Sequence, residues 1–362
     1  MGGTIVIKKK RLFYVNELKP GMISASEIKA NGKLLIGKDV TITEYAINKL
    51  KENFILHQIE MYCEESDESE NDTDTEYEKP RTVEDVELSF NELTSDVGGI
   101  LESMNNYMTS ADVEEVRKFA TKIQDELKSI NSVIKNIVLH GSGNDTVYRH
   151  SVNVAALSTV LGKWIGIKDS ELNLLTYAAV LHDFGKLKID KRILEKPAAL
   201  TPKELKIIKS HPTIGYSFIK EIPFLDKSVS YGVLMHHERM DGSGYPLGLK
   251  EDKIHKFARI IAIADVFDAV NSNRSYKKSK GPFEALEIIK KESLGKLDYN
   301  YSNIFLNHVV NYYMGEYAIL NTKKQCKIIQ VDVNNLTRPL LLDDDGFIDL
   351  KQHKELSVEK LA

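Results

Sequence analysis

The chain of 362 residues has little sulfur chemistry to offer: its only cysteines are Cys63 and Cys326. Two cysteines cannot build a disulfide framework and give no CxxC pair for zinc or dithiol work, so a reducing cytoplasm is the expected compartment. Long hydrophobic runs are missing as well. The most apolar windows, such as IIAIA at 260–264, fall far short of the roughly 18 to 20 residues a membrane-spanning helix needs. The basic cluster Lys8 to Arg11 is not followed by an apolar segment, and Val6 stands where N-myristoylation wants Ser or Thr, so neither a signal peptide nor a lipid anchor is expected. An excess of positive charge is also absent. With 49 Lys+Arg against 53 Asp+Glu the net charge is -4, which removes any global electrostatic case for long nucleic acid or an anionic membrane. An anionic ligand must be met locally.

What is present is ordinary for a soluble, mostly folded protein: 42% hydrophobic and 28% charged residues, in a length sufficient for two or more domains. Residues 1–62 read as a small α+β module. Asn31-Gly32 between EIKA and KLLIG signals a two-residue hairpin, and TITEYAINKLKEN, with Ile42, Ala46 and Leu50, suits a short amphipathic helix. In Glu64 to Glu78 nine of fifteen residues are acidic and none is basic, so residues 63–80 are read as a solvated linker. Residues 81–135 form a helical connecting segment. Within it and just beyond, Val116, Ala120, Ile123, Leu127, Ile130, Ile134 and Ile137 alternate steps of four and three, a seam that suits a bundle core or a contact with a second copy. Tertiary packing supplies most helical stability, which favours the core. After residue 315 the pattern alternates (KIIQVDV), with turn signals at Asn334-Asn335 and Asp345-Gly346, so 315–362 reads as a β-rich extension.

The informative region lies between 150 and 265. His150 shares a stripe with Val147, Val154, Leu157, Leu161 and Trp164, so it points with the core-facing residues. Leu172, Leu175 and Ala179 lead to His182 in a helix ending AAVLHDFGK, which sets Asp183 beside His182 and Lys186 about one turn on. A third helix opens with the capping box TPKE at 201–204, and its pair Ile207 and Ile208 leads to His211. A fourth carries Val229 and Val233 into His236 and His237, and a fifth, ARIIAIADVFDAV, sets Asp265 on the face of Ala258 and Ile261. A lone histidine on an apolar face is usually a hydrogen-bonded core residue. Five successive helices delivering His or Asp to buried stripes would instead leave a costly polar cluster unless something satisfied them together, and a metal site does so. Imidazole and carboxylate without thiolate suit Fe, Mn, Co or Zn, and one carboxylate can bridge two ions.

These residues resemble a known family. His182-Asp183 is the signature pair of the HD superfamily of metal-dependent phosphohydrolases, and HDFGK followed by HHERMDGSGYP at 236–246 is similar to the HD-GYP subfamily over roughly residues 136–314. The resemblance implies a mainly α protein: an HD-type helical bundle over 136–314, with the small N-terminal module before it and the short β-rich extension after it. It further implies that Asp183 bridges two divalent ions, iron or manganese, whose shells His150, His182, His211, His236, His237 and Asp265 complete. Thr146 stands where some members carry a glutamate for a third ion. The implied substrate is cyclic di-GMP, cleaved to pGpG and in some members onward to GMP, with Asp183 and Lys186 as catalytic residues and Lys186, Gly244, Tyr245, Arg274 and Lys277 at substrate-contact positions. Two close ions can activate a water toward phosphorus, and Arg274 and Lys277, in NSNRSYKK, can hold an anionic dinucleotide. Glu238 and Arg239 are candidates to orient His236 or His237, Asp268 to support the site from one turn after Asp265, and Asp241 to shape its loop. The competing readings are a cyclic dinucleotide sensor or scaffold, paired with a diguanylate cyclase, other signalling partner or second copy, and a phosphodiesterase for another cyclic dinucleotide such as cyclic GMP-AMP.

Overall fold

The computed structural model describes residues 9–14, 18–30, 33–47, 50, 58–63, 83–106, 110–126, 130–140, 147–222, 225–272 and 282–362. The chain divides into two compact units, Met1–Pro80 and Arg81–Ala362.

In the first unit, β1 (Lys9–Tyr14), β2 (Ile23–Ser24) and β5 (Gln58–Cys63) form an antiparallel sheet in the order β1-β5-β2. A separate hairpin pairs β3 (Ile28–Ala30) with β4 (Lys33–Ile36), Ala30 opposite Lys33. That spacing is what the Asn31-Gly32 signal calls for, although those two residues lie outside the described ones. Residues 44–47 are helical. Ile42, Ile47 and Leu50 pack with Leu18, Ile28, Ile36, Ile59 and Met61 into a small core, with Ala46 against it.

The second unit is a helical bundle carrying a sheet. Its helices are α1 (Val83–Asn106), α2 (Ser110–Glu126), α3 (Ile130–His140), α4 (Val147–Ile165) and α5 (Asp169–Leu181). A 3-10 segment (Phe184–Lys188) and the short α6 (Lys191–Leu194) lead to α7 (Pro202–Ile208), α8 (His211–Ile219) and α9 (Lys227–Met235). Then come α10 (Lys256–Asn271), α11 (Glu284–Glu292) and α12 (Tyr299–Val309). Helix α4 is buried at every residue from Arg149 to Gly162 and touches α1, α2, α3, α5, α10 and α12. It is buried nearly all round, as befits a helix at the centre of a core, and carries the polar residues His150 and Asn153 into that core. Helix α10 is similarly enclosed, with Phe257 to Ala258 and Ile260 to Asp265 buried.

Val116, Ala120, Ile123, Ile134 and Ile137 are all buried, spread over α2 and α3, while Leu127 lies outside the described residues. These described members of the seam are therefore internal to the unit. The helix expected from TPKE is two helices, not one: the capping box of Thr201 and Glu204 starts α7, the chain breaks at 209–210, and His211 begins α8. At the C-terminal end β6 (Tyr317–Leu320), β7 (Gln325–Asp332), β8 (Asn335–Asp343), β9 (Gly346–Asp349) and β10 (Val358–Leu361) form one antiparallel sheet in the order β10-β6-β7-β8-β9. The turns fall one residue earlier than the sequence signals, since Asn335 pairs with Asp332 and Gly346 with Asp343. Lys290 Nζ donates to the Asn334 carbonyl at 2.7 Å, and Lys135 pairs with Glu316 at 2.5 Å, tying the sheet to the bundle.

Candidate metal centre

The seven histidines and aspartates singled out in the sequence converge. Their ligand atoms form two groups, Asp183 with His211, His236 and His237, and His150 with His182 and Asp265, the atoms of each group lying within 4.8 Å of one another. Helix ends account for much of this. His182 caps the C-terminus of α5 and His236 that of α9, while His211 follows just after α7. The last carbonyls of a helix have no intrahelical partner. The Nδ1 of His182 lies 2.7 Å from the Ala179 carbonyl, that of His236 2.7 Å from Val233, and that of His211 2.8 Å from Ile208. Each ring donates Nδ1–H to such a carbonyl, and its Nε2 lone pair is thereby turned inward.

Asp183 spans the two groups. Its Oδ1 is 3.2 Å from His211 Nε2 and 3.8 Å from His236 Nε2, whereas its Oδ2 is 3.4 Å from His182 Nε2 and 3.7 Å from His150 Nε2. His237 Nδ1 approaches Asp265 Oδ2 at 3.6 Å. Lys186 Nζ donates to Asp183 Oδ2 at 2.5 Å.

Electrostatics follow from burial and these contacts. Burial opposes ionisation of Asp183, but Lys186 and His182 outweigh it and hold its carboxyl well below the usual range. Burial likewise acts against Asp265, which its hydrogen bond with His150 and the nearby His237 keep well below that range. Burial and the surrounding histidines hold His236 well below the ordinary imidazole value, and burial brings His237 down to about 3. His150 goes the other way. Burial disfavours its charge, yet hydrogen bonds with Asp265 and Asp268 prevail and push it up to about 10.

Two observations test whether a metal fits. The buried atoms His182 Nε2 and Asp183 Oδ1 have no hydrogen-bond partner among the described residues, a state that costs free energy. His211 Nε2 and His236 Nε2 also face each other at 3.2 Å although both rings spend their Nδ1–H elsewhere, so two lone pairs meet unless a cation lies between them. A divalent ion resolves both, and a donor set of imidazole and carboxylate suits one.

Beside this centre the loop after His237 is pinned by a residue whose role the sequence did not disclose. The Glu238 carboxylate is buried and accepts from Leu247 N at 2.6 Å and Leu249 N at 2.9 Å, so it holds the loop and not the histidines. Arg239 Nη1 donates to the Glu238 carbonyl at 3.0 Å and weakly toward that of His236 at 3.4 Å. Gly244 lies against this backbone, where a methyl would overlap Glu238 Cα and Arg239 N. Tyr245, joined to Pro246 by a cis peptide, stacks on His237 with centroids 4.7 Å apart, and Lys209 Nζ stands 5.0 Å from the same ring. Asp241 shapes the loop by accepting from Ser243 N and Oγ. Asp268 touches His150 itself. Arg274, Lys277 and Thr146 lie outside the described residues. His255 caps α10 and His308 stacks on Trp164, both apart from the centre.

A family model described as "HD domain" matches residues 107–300, more than half the chain, and the chain belongs to that family. Proteins of this family are metal-dependent phosphohydrolases, in keeping with the paired donor groups. Among curated relatives, a cyclic di-GMP phosphodiesterase of Thermotoga maritima is 40% identical over 182 residues, covering 50% of this chain and 48% of the relative. A cyclic di-GMP phosphodiesterase of Pseudomonas aeruginosa is 32% identical over 213 residues, 59% of this chain and 51% of the relative. A 3'3'-cGAMP-specific phosphodiesterase of Vibrio cholerae is 34% identical over 190 residues, 52% of this chain and 43% of the relative. The chain thus spans about half the length of the curated relatives it matches. A solved HDG"Y"P protein from Bdellovibrio bacteriovorus superposes with a TM-score of 0.54 at 19% identity, covering 84% of this chain and all of that one, and supports the fold. Among the described residues no helix is long and apolar enough to cross a membrane.

Proposed function

We propose that this protein hydrolyses cyclic di-GMP, to pGpG or GMP, with two divalent ions, iron or manganese. The observation that carries the reading is the placement of Asp183, one carboxylate oxygen toward each donor group. His150, His182 and Asp265 would hold one ion and His211, His236 and His237 the other, with Asp183 shared. When bound, such a pair supplies an activated water and neutralises charge on the phosphate. The chain's own contribution is positional. Helix-end carbonyls hold three imidazoles with Nε2 inward. Lys186 brings a partly exposed cation beside Asp183, suited to stabilising negative charge that develops on phosphate oxygens during in-line displacement. Tyr245, braced on His237, offers a ring and a hydroxyl to the substrate, next to Gly244. Arg274 and Lys277 are assigned to the substrate's anionic groups on the family motif alone.

A second reading keeps the chemistry and changes the base. The relatives include phosphodiesterases named for cyclic di-GMP and others named for 3'3'-cGAMP, so the dinucleotide accepted is decided by assay. The test is anaerobic purification, measurement of iron, manganese and zinc per protomer, and incubation with each dinucleotide beside Asp183→Ala. Two ions per protomer with pGpG or GMP formed only by the unmodified protein is the expected result. Turnover of 3'3'-cGAMP alone selects the second reading. Bound metal with no turnover of either, after loading with iron and with manganese, overturns the enzyme in favour of a sensor or scaffold.

A further inference from the structure

Four imidazoles in the centre direct Nε2 inward, but they do not get their orientation from the same source. Three spend Nδ1–H on a carbonyl at a helix end. His150 has no such carbonyl, because it lies within α4, where main-chain carbonyls are engaged in the helix itself. Its Nδ1 meets Asp268 Oδ2 instead, at 2.7 Å and across 118 residues of sequence. Asp268 is fully buried, and its other oxygen accepts from Asn153 Nδ2 at 2.8 Å. Asn153 is three residues after His150, hence on the same face of α4. Helix α10 therefore presents two carboxylates one turn apart to the two nitrogens of one ring: Asp265 Oδ1 at 3.1 Å from Nε2 and Asp268 at Nδ1. Asp268 belongs to neither donor group.

We infer that Asp268, steadied by Asn153, is a positioning residue that fixes the ring orientation and tautomer of His150 and so governs how tightly one of the two ion positions is held. The inference rests on the two-ion reading above. A carboxylate behind a metal-binding imidazole locks the ring and strengthens its donor nitrogen, and losing such a partner typically costs roughly 10–100-fold in metal affinity. The effect falls on one position because His150 belongs to one donor group only, while His211 and His236 of the other hang on the main chain.

The test is calorimetric titration of the metal-free protein with Mn²⁺, with Asp268→Asn, Asn153→Ala, His150→Ala and the double variant His150→Ala/Asp268→Asn. Two binding steps in the unmodified protein support the two-ion reading on which the comparison rests, and their absence overturns that reading. The expected result for Asp268→Asn is one step weakened roughly 10–100-fold with the other unchanged, and for Asn153→Ala a smaller loss in the same step. Asp268→Asn should have no added effect on Mn²⁺ binding once His150 is alanine, which a merely structural role would not produce. Unchanged steps in Asp268→Asn, equal weakening of both steps, or an additive effect in the double variant would each overturn the inference while leaving the two-ion reading standing. Should Asp268→Asn not fold, Asn153→Ala decides alone: an unchanged titration overturns the inference.

Discussion

Gly185, two residues after the shared aspartate, is where fold and chemistry are most tightly coupled. A methyl group added there would overlap the carbonyl oxygen of His211 and stand 2.8 Å from Gly215 N and 2.9 Å from His211 C. Ordinary contacts between such atoms are about 3.5–4.0 Å, so where the added carbon overlaps the His211 oxygen the 3-10 segment and the start of α8 must part by about 1.5–2 Å. Both obstacles are backbone, which cannot swing aside as a side chain does. Overpacking of this kind costs about 1–3 kcal/mol of stability. The same displacement acts directly on the centre, because it separates Asp183 from His211, whose facing atoms are 3.2 Å apart. A misplacement of about 1 Å can reduce turnover by about 100-fold. On the proposed function, Gly185→Ala is therefore expected to remain folded with a lowered Tm, to bind at least one metal ion fewer per protomer than the unmodified protein, and to lose most of its turnover of cyclic di-GMP. The assay is thermal unfolding by circular dichroism, elemental analysis after gel filtration, and product formation from cyclic di-GMP. A folded variant with full metal content and full activity would refute the claim that this close approach sets the ligand geometry.

The remaining predictions concern charge and the loop. Lys186→Met should retain metal, since Lys186 is in neither donor group, while lowering kcat; equal loss of metal and turnover would show that its role is to hold Asp183. Glu238→Ala removes the carboxylate to which Leu247 N and Leu249 N donate, at a cost of about 1 kcal/mol for each hydrogen bond lost, and hydrogen exchange at those amides should accelerate; unchanged protection would refute the anchor. The metal-free protein should lose stability as pH rises above about 6.5. His150 has its value raised from 6.5 to about 10 on folding, so its contribution is complete below 6.5 and disappears as pH passes through about 10. The affinity for the ion that displaces this proton should rise over the same window, where the carboxylates Asp183 and Asp265, held low, do not titrate. A Tm of the metal-free protein that climbs from pH 7 to 10 would refute the charge assignment.

All seven members of the two donor groups were legible from the sequence, because each sits at the end of, or within, an apolar stripe whose period reports where the side chain points. The family motif supplied the expectation of a shared Asp183, while the division of the others into two groups is seen only in the folded chain. Stripes do not report hydrogen bonds between elements. The bond from His150 to Asp268 spans 118 residues and that from Asn153 to Asp268 spans 115, so the latter partner, Asn153, escaped notice altogether. Asp268 was visible only as a carboxylate one turn after Asp265. Gly185 and Gly244 show the same limit: what forbids a side chain there is backbone brought close by folding, as with Gly185 against His211. The break between α7 and α8 was masked by an apolar pair that runs up to it, and an N-terminal signal as weak as Ser210-His211-Pro212 does not outweigh that periodicity.

The three imidazoles bonded to helix-end carbonyls make the length of each helix part of the recipe for the centre. Side-chain substitutions along α5, α7 or α9 leave the terminal carbonyls of Ala179, Ile208 and Val233 in place, so the ligands keep their aim through considerable sequence drift. Inserting or deleting one residue just before such an end is different, since each residue turns a helix by about 100° and advances it by about 1.5 Å. Among variants of this chain, the centre should thus tolerate exchanges of residues within these helices and fail when their residue count changes.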